Sequence, residues 1–262
     1  MEDNRGYQIN FSSMLSDAMY DRDRREKKAR TMLVIIRDFI GSDLRRFKLL
    51  DVGCSTGFIG NYLADYFGQV IGIDIDELAI NFAQANCKKK NLNFLKADSM
   101  SMKFSENIFD IAICAHIYEH VPDAERLMAE IYRVLKPRGV CYFAAGNRLN
   151  VKEPHYNLPF LSILPRSLAH VYIRTSGKNK FYYEKHLSYW GLKRLVQKFE
   201  RIDYTQKIIE SPEEFHAEYL ISPDTKKGKL ARLIVKYAYW LSPTYIWLLR
   251  KPQQSMPEMK CP

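Results

Sequence analysis

The sequence predicts an α/β fold built on one open, mostly parallel sheet of seven strands, with helices on both faces and the last strand antiparallel. Three observations carry this. Short apolar runs alternate with stretches of helical periodicity along most of the chain. The first run, Leu49 to Val52, breaks into a glycine-rich turn, Gly-Cys-Ser-Thr-Gly-Phe-Ile-Gly over Gly53 to Gly60. Asp51, Asp74, Asp98 and the turn from Ala115 to His120 all fall at predicted strand ends, so they share one edge of the sheet, where open α/β sheets bind ligands.

Taken in order, Ser16 to Ile40 reads as an amphipathic helix, capped by Ser16 and ended by Gly41. Phe58 to Phe67 suits a helix, and Gln69 to Ile75 is a continuous apolar strand of the kind buried on both faces. Asp76 offers an N-cap for a helix running to Lys88, Lys89 and Lys90, whose cations suit a helix C-terminus. Asn93 to Ala97 and Phe109 to Ala115 are the next strands. Pro122 to Lys136 is a helix with proline in its first turn and Gly139 past its end, and Val140 to Ala145 is the fifth strand. Gly146 to His186 shows no clear periodicity and is long for a connection, so it reads as a functional lid after the fifth strand. Leu187 to Phe199 returns to helical spacing, Arg201 to Ile209 is the sixth strand, and Tyr245 to Arg250 is the last. Leu230 to Trp240 is a basic, aromatic, amphipathic helix, packed on the core or lying in a membrane interface. The expected division is therefore 1–47 as an N-terminal helical segment, 48–146 as the ligand-binding core, 147–186 as the lid, 187–251 as completion of the fold, and 252–262 as a loose tail.

With 262 residues and 47% apolar content, the chain has enough material for an ample core, which excludes a disordered or fibrous class. The five cysteines form no Cys-x-x-Cys pair, several lie in apolar runs, and no signal-peptide core or bilayer-length apolar run is present. A cytoplasmic protein is expected, at most peripheral at the inner membrane face. The net charge of +10 is lopsided, because residues 1–150 hold 21 Lys/Arg against 20 Asp/Glu and residues 151–262 hold 19 against 10. That excess suits an anionic partner such as a lipid headgroup, a phosphorylated carrier or nucleic acid, or simply a solvated lysine-rich surface.

The glycine turn is neither Gly-x-Gly-x-x-Gly nor a P-loop, since no Lys-Ser/Thr pair follows Gly57. Asp51 at its mouth would repel a pyrophosphate and attract a ligand carrying an ammonium and a sulfonium, as S-adenosylmethionine does. Five pieces, Leu-Asp-Val-Gly-Cys-Ser-Thr-Gly, Ile-Gly-Ile-Asp-Ile-Asp, Lys-Ala-Asp-Ser, Phe-Asp-Ile-Ala with Glu-His-Val, and Leu-Lys-Pro-Arg-Gly, follow in the right order and spacing. Through them residues 48–146 resemble a class I, Rossmann-like S-adenosylmethionine-dependent methyltransferase of the type 11 small-molecule group, similar to the quinone-biosynthesis methylases.

The resemblance implies that Gly53 and its neighbours hold the methionine end of the donor, with Asp51 favouring its ammonium, and that Cys54, Gly57 and Ala115 also bind the donor. It implies further that Asp74 accepts from the ribose hydroxyls, Ile75 lies on the adenine, and Asp98 with the Ser99 backbone meets its amine. Capping is the structural alternative for Asp74 and Asp98, and the preferred role of Asp76. His120, His116 and Glu119 are the candidates for acid–base chemistry, His120 foremost as base, with structural packing the alternative. His155, Tyr156 and Arg174 of the lid are the candidate acceptor contacts. In quinone-pathway O-methylases the position of His116 resembles a metal-ligating glutamate. Histidine there leads to no metal being assigned. The expected activity is methyl transfer to a small-molecule or lipid-linked acceptor. The alternatives are a nucleic-acid methyltransferase, disfavoured because no RNA-binding motif is present, and a non-catalytic donor-binding protein at a membrane surface.

Overall fold

The structure is a computed structural model that describes residue 9 and residues 11–14, 16–222 and 224–253. Two short helices, α1 (Phe11–Met14) and α2 (Ser16–Tyr20), precede the long α3 (Arg22–Ile40). Then come β1 (Lys48–Val52), α4 (Phe58–Leu63), β2 (Gln69–Asp74), α5 (Glu77–Asn86), β3 (Leu92–Lys96), β4 (Phe109–Ala115), α6 (Ala124–Val134) and β5 (Leu135–Gly146). After the lid, with α7 (Arg166–Thr175), the chain adds α8 (Tyr189–Leu195), β6 (Glu200–Asp203), α9 (Thr205–Glu210), α10 (Lys226–Tyr237) and β7 (Thr244–Arg250). One seven-stranded sheet has the order β3-β2-β1-β4-β5-β7-β6, and β7 runs antiparallel to both its neighbours. The expected fold class is what forms.

The strand order reverses at β1 and β4, which pair in parallel with Asp51 opposite Ile113 and Val52 opposite Cys114. This opens a crevice at their carboxyl ends. Leu49, Leu50 and Val52 are buried, as an apolar strand covered on both faces requires. Each such side chain contributes about 1.5–3 kcal/mol by leaving water. One core packs α3, α4 and α5 on one face of the sheet, and a second packs α6 and α8 on the other.

Several boundaries differ from expectation. The long helix starts at Arg22, because Asp21 takes an extended conformation and its side chain accepts from the Arg24 amide at 2.9 Å. Asp76 caps α5 as expected, accepting from the Leu78 and Ala79 amides, but the helix ends at Asn86, before the lysine cluster. Pro122 precedes the cap Asp123 rather than entering the first turn, and Leu135 already belongs to β5, so Gly139 lies inside that strand. Arg201 to Ile209 is not one strand. Asp203 turns back to accept from the Thr205 amide at 2.8 Å, and α9 follows. Residues 254–262, most of the expected tail and including Cys261, lie outside the described residues.

The lid is more ordered than its sequence suggests. Ala169 and Ile173 of α7 join Tyr156, Leu161 and Tyr182 in a small core of their own. A parallel bridge between Asn147 and Leu187 closes its base, and the Tyr118 hydroxyl, bonded to the Gly146 carbonyl (2.6 Å) and the Leu187 amide (3.1 Å), fastens the same point. On α10 the apolar stripe faces outward rather than onto the core, with Leu230, Leu233 and Tyr237 exposed and Val235 buried. Among the described residues no helix is long and apolar enough to cross a membrane.

Candidate functional site

Gly53 (φ +71°) turns the chain back so that its amide and that of Cys54 both reach the Ile73 carbonyl of β2, at 2.8 and 3.0 Å. A Cβ on Gly53 would stand 2.1 Å from the Ile117 Cδ1, so only glycine lets the Ile117 side chain pack on this turn. The crevice opens into a cavity of about 670 Å³, large enough for a nucleoside-sized ligand and a second small molecule. Asp51, Gly53, Asp74, Ile75, Asp98, Ser99 and Ala115 all line it. Cys54 and Gly57 do not. Cys54 is a buried thiol packed toward Gly72, and Gly57 presses its bare α-carbon onto Phe94 and Ala83.

Asp51 is 2% exposed and its Oδ2 has no hydrogen-bond partner. Burial pushes its carboxyl up to about 7. Arg25 and the Gly60 amide oppose the shift, and Asp74 adds to it. Asp74 accepts from the Ser55 amide through Oδ2 and from the Asp76 amide through Oδ1, at 2.8 and 2.9 Å, and burial raises its pKa. Asp98 accepts from the Met100 amide at 2.8 Å. Both acids therefore shape turns as well as face the cavity, and the capping role does not compete with a ligand role.

A wall of the cavity comes from a segment that gave no functional signal in the sequence. Ser12 donates its amide to Asp76 Oδ2 (2.8 Å), and the Thr56 hydroxyl donates to the Met19 carbonyl (2.7 Å). These bonds draw α1 and α2 across the sheet edge and bring Phe11, Met19 and Arg25 to the cavity. Burial lowers the Arg25 guanidinium, against the pull of Asp51.

The opposite wall is rich in histidine. His116 sits in a left-handed conformation (φ +58°) at the end of β4, with Nδ1 3.3 Å from Glu119 Oε1. A histidine held there costs on the order of 1 kcal/mol, as strained backbone at functional sites does. Burial alone would raise the Glu119 carboxyl, but the hydrogen bond to His116 and the nearby imidazoles lower it to about 2. Glu119 Oε2 is buried without a hydrogen-bond partner. His120 lies between Phe11 and His155, with ring centroids at 4.6 and 4.8 Å, and burial lowers it to about 3 against the pull of Glu119. It is a neutral imidazole at ordinary pH and a weak proton acceptor.

Of the expected acceptor contacts, His155 lines the cavity. Tyr156 is buried in the lid and borders only a smaller side cavity of about 210 Å³, and Arg174 lies exposed at the end of α7, bonded to the His170 carbonyl, away from both. Hydrophobic packing of α7 turns Ile173 inward and leaves Arg174 to solvent. Two residues not singled out from the sequence, Glu153 and His186, join His155. Glu153 Oε1 is 2.6 Å from His155 Nδ1 and 3.2 Å from His186 Nε2. Burial would raise Glu153, yet the two histidines hold it down at about 2, and Glu153 in turn raises His155.

Residues 50–143 match the family described as "Methyltransferase domain". A demethylmenaquinone methyltransferase of Lactococcus lactis is 32% identical over 131 residues, 47% of this chain and 52% of the relative. A ubiquinone biosynthesis O-methyltransferase of Coxiella burnetii is 32% identical over 112 residues, 42% and 47% of the two chains. The chain thus spans about half the length of the curated relatives it matches. A solved S-adenosylmethionine-dependent methyltransferase from Methanosarcina mazei shares the fold with a TM-score of 0.54 at 20% identity, covering 84% of this chain and 98% of its own. The glycine turn, the acids at successive strand ends and the sheet order agree with these likenesses, and residues 50–143 are similar to a methyltransferase domain.

Proposed function

We propose that the protein moves the methyl group of S-adenosylmethionine to a nucleophile on a small-molecule or lipid-linked acceptor. The observation that carries this is Asp51, a buried carboxyl that lines the cavity beside Gly53. It suits the donor's ammonium. Asp74, at the end of β2, suits the ribose hydroxyls, and Asp98 with Ser99 the adenine amine. A bond forms between the acceptor atom and the methyl carbon while the methyl–sulfur bond breaks, its electron pair leaving with a neutral thioether. Charge disperses in this step, so alignment in a dry cavity supplies much of the rate. The acceptor's proton goes to a base. His116, half-exposed and oriented by Glu119, suits that role better than His120, which burial keeps neutral.

The names of the relatives favour a quinone-like ring as acceptor, and the exposed apolar and basic residues of α10 favour peripheral contact with an anionic lipid surface. Incubation with labelled donor and with lipid and aqueous extracts of the source cell should label the lipid fraction, and the protein should float with anionic vesicles. Label confined to RNA would overturn the acceptor class. No transferred label in any fraction, with the donor bound, would overturn methyl transfer. Absence from the vesicle layer would remove the surface contact.

Asp51 gives the donor site a pH dependence. A cationic ligand binds the ionised carboxylate, so affinity should fall as pH drops below about 7, by up to about tenfold per unit. Calorimetry at about pH 5.5 and about pH 8 checks this, and Asp51→Asn should flatten the difference. Affinity that is flat, or that rises toward acid in the unmodified protein, would remove Asp51 as the ammonium partner.

A further inference from the structure

We infer that Glu153, His155 and His186 form a binding site for one divalent transition-metal ion at the acceptor end of the cavity. The three donor atoms, Glu153 Oε1, His155 Nδ1 and His186 Nε2, lie within 4.8 Å of one another, and this is the only such group among the described residues. Metal bonds of about 2.0–2.2 Å place neighbouring donors roughly 3 Å apart. The carboxylate oxygen already stands 2.6 and 3.2 Å from the two ring nitrogens.

The carboxylate of the site is held in place as a metal ligand's is. Glu153 Oε2 accepts from the amides of His155 and Tyr156, both at 2.8 Å, which fixes the carboxylate and turns its other oxygen to the histidines. The side chains of Glu153 and His186 are 0% and 2% exposed, and that of His155 is 14% exposed. His155 and His186 both line the large cavity, so open coordination positions would face it. Two imidazoles with one carboxylate suit zinc, iron, cobalt or nickel rather than magnesium or calcium, which take oxygen donors.

All three residues lie outside the span 50–143 matched by the family, and none is His116, the position where the resemblance has a metal-ligating carboxylate. The expectation of no metal rested on His116 alone. The role of the ion rests on the methyl-transfer reading: it would hold an acceptor hydroxyl beside the donor and favour its ionised form, which is the better nucleophile. The displaced proton leaves to His116 or to water.

The test is titration of chelator-treated full-length protein with Zn²⁺ against a chromophoric chelator, and with Co²⁺ followed by its visible absorption. One ion per chain is expected, with Co²⁺ bands in the visible region and no comparable binding of Mg²⁺. His186→Ala and His155→Ala, which leave the carboxylate bonded to its two amides, should each weaken Zn²⁺ by more than about tenfold. Circular dichroism and thermal melting establish that the variants fold. If neither variant folds, the Co²⁺ spectrum of the unmodified protein decides alone. Failure of that protein to bind either ion would make the group a hydrogen-bonded triad and overturn the site. Undiminished binding by both folded variants would place the ion elsewhere and do the same. S-adenosylhomocysteine binding, measured in parallel, separates the readings: donor binding without cation binding overturns only the metal site, and cation binding without donor binding overturns the donor site.

Discussion

Replacing Asp74 by alanine should weaken S-adenosylhomocysteine binding by about 1–3 kcal/mol, the scale of an unmade buried polar contact, which is roughly five- to 150-fold. Asp74 ends β2 with both oxygens already engaged, one by the Ser55 amide and one by the Asp76 amide. Each oxygen keeps a further lone pair, and the residue lines the cavity, so ribose hydroxyls can be accepted without giving up the turns. Alanine removes both roles. Asparagine keeps the shape and one acceptor but sets its NH2 against one of the two amides, so Asp74→Asn should lose some stability as well as much of the affinity. Calorimetry on both variants checks this, and unchanged affinity in both would end the ribose assignment.

Gly57→Ala should lower stability by about 2–5 kcal/mol. Two costs combine. Gly57 has φ +79°, a left-handed conformation that costs an L side chain roughly 1–2 kcal/mol. The new methyl would also stand 2.6 Å from Phe94 Cζ and 2.7 Å from Ala83 Cβ, in a packed region where overfilling costs about 1–3 kcal/mol. Phe94 is on β3 and Ala83 on α5, so relief would have to shift a strand or a helix. Thermal and denaturant unfolding measure the loss, and a variant as stable as the parent would mean that Phe94 moves aside freely. Gly57 had been expected to touch the donor. The damage should therefore appear mainly as lost stability, with affinity in the folded fraction much less changed.

The strands and the sheet edge that lines the cavity were legible because they follow from local rules. Apolar runs buried on both faces cannot be helices of that length, and an acid after each run marks a strand end. The boundaries missed were those where one side chain overrides a longer pattern. Asp21 breaks a helical run by capping its second part, and Asp203 ends a strand by bonding two residues ahead. Glu153, His186 and the cavity wall around Phe11 and Arg25 could not be seen, since contacts such as Ser12 to Asp76 join residues 64 apart and leave no periodic trace. Arg174 was misplaced for the opposite reason: charge and position suggested a contact, while the burial of Ala169 and Ile173 decided which face of α7 meets water.

The lid leaves and re-enters the chain at a single fastened point, where Tyr118 bonds Gly146 and Leu187 and Asn147 pairs with Leu187. The ends of the excursion are thus held together by the sheet whatever lies between them. Closing such a loop costs little more as it lengthens, about 0.6 kcal/mol for each doubling, and α7 with its own small core adds few demands on the strands. The stretch between Asn147 and Leu187 can therefore vary in length at little cost to closing the loop. A fold with that seam can vary the length of its lid without moving the strand ends that line the cavity.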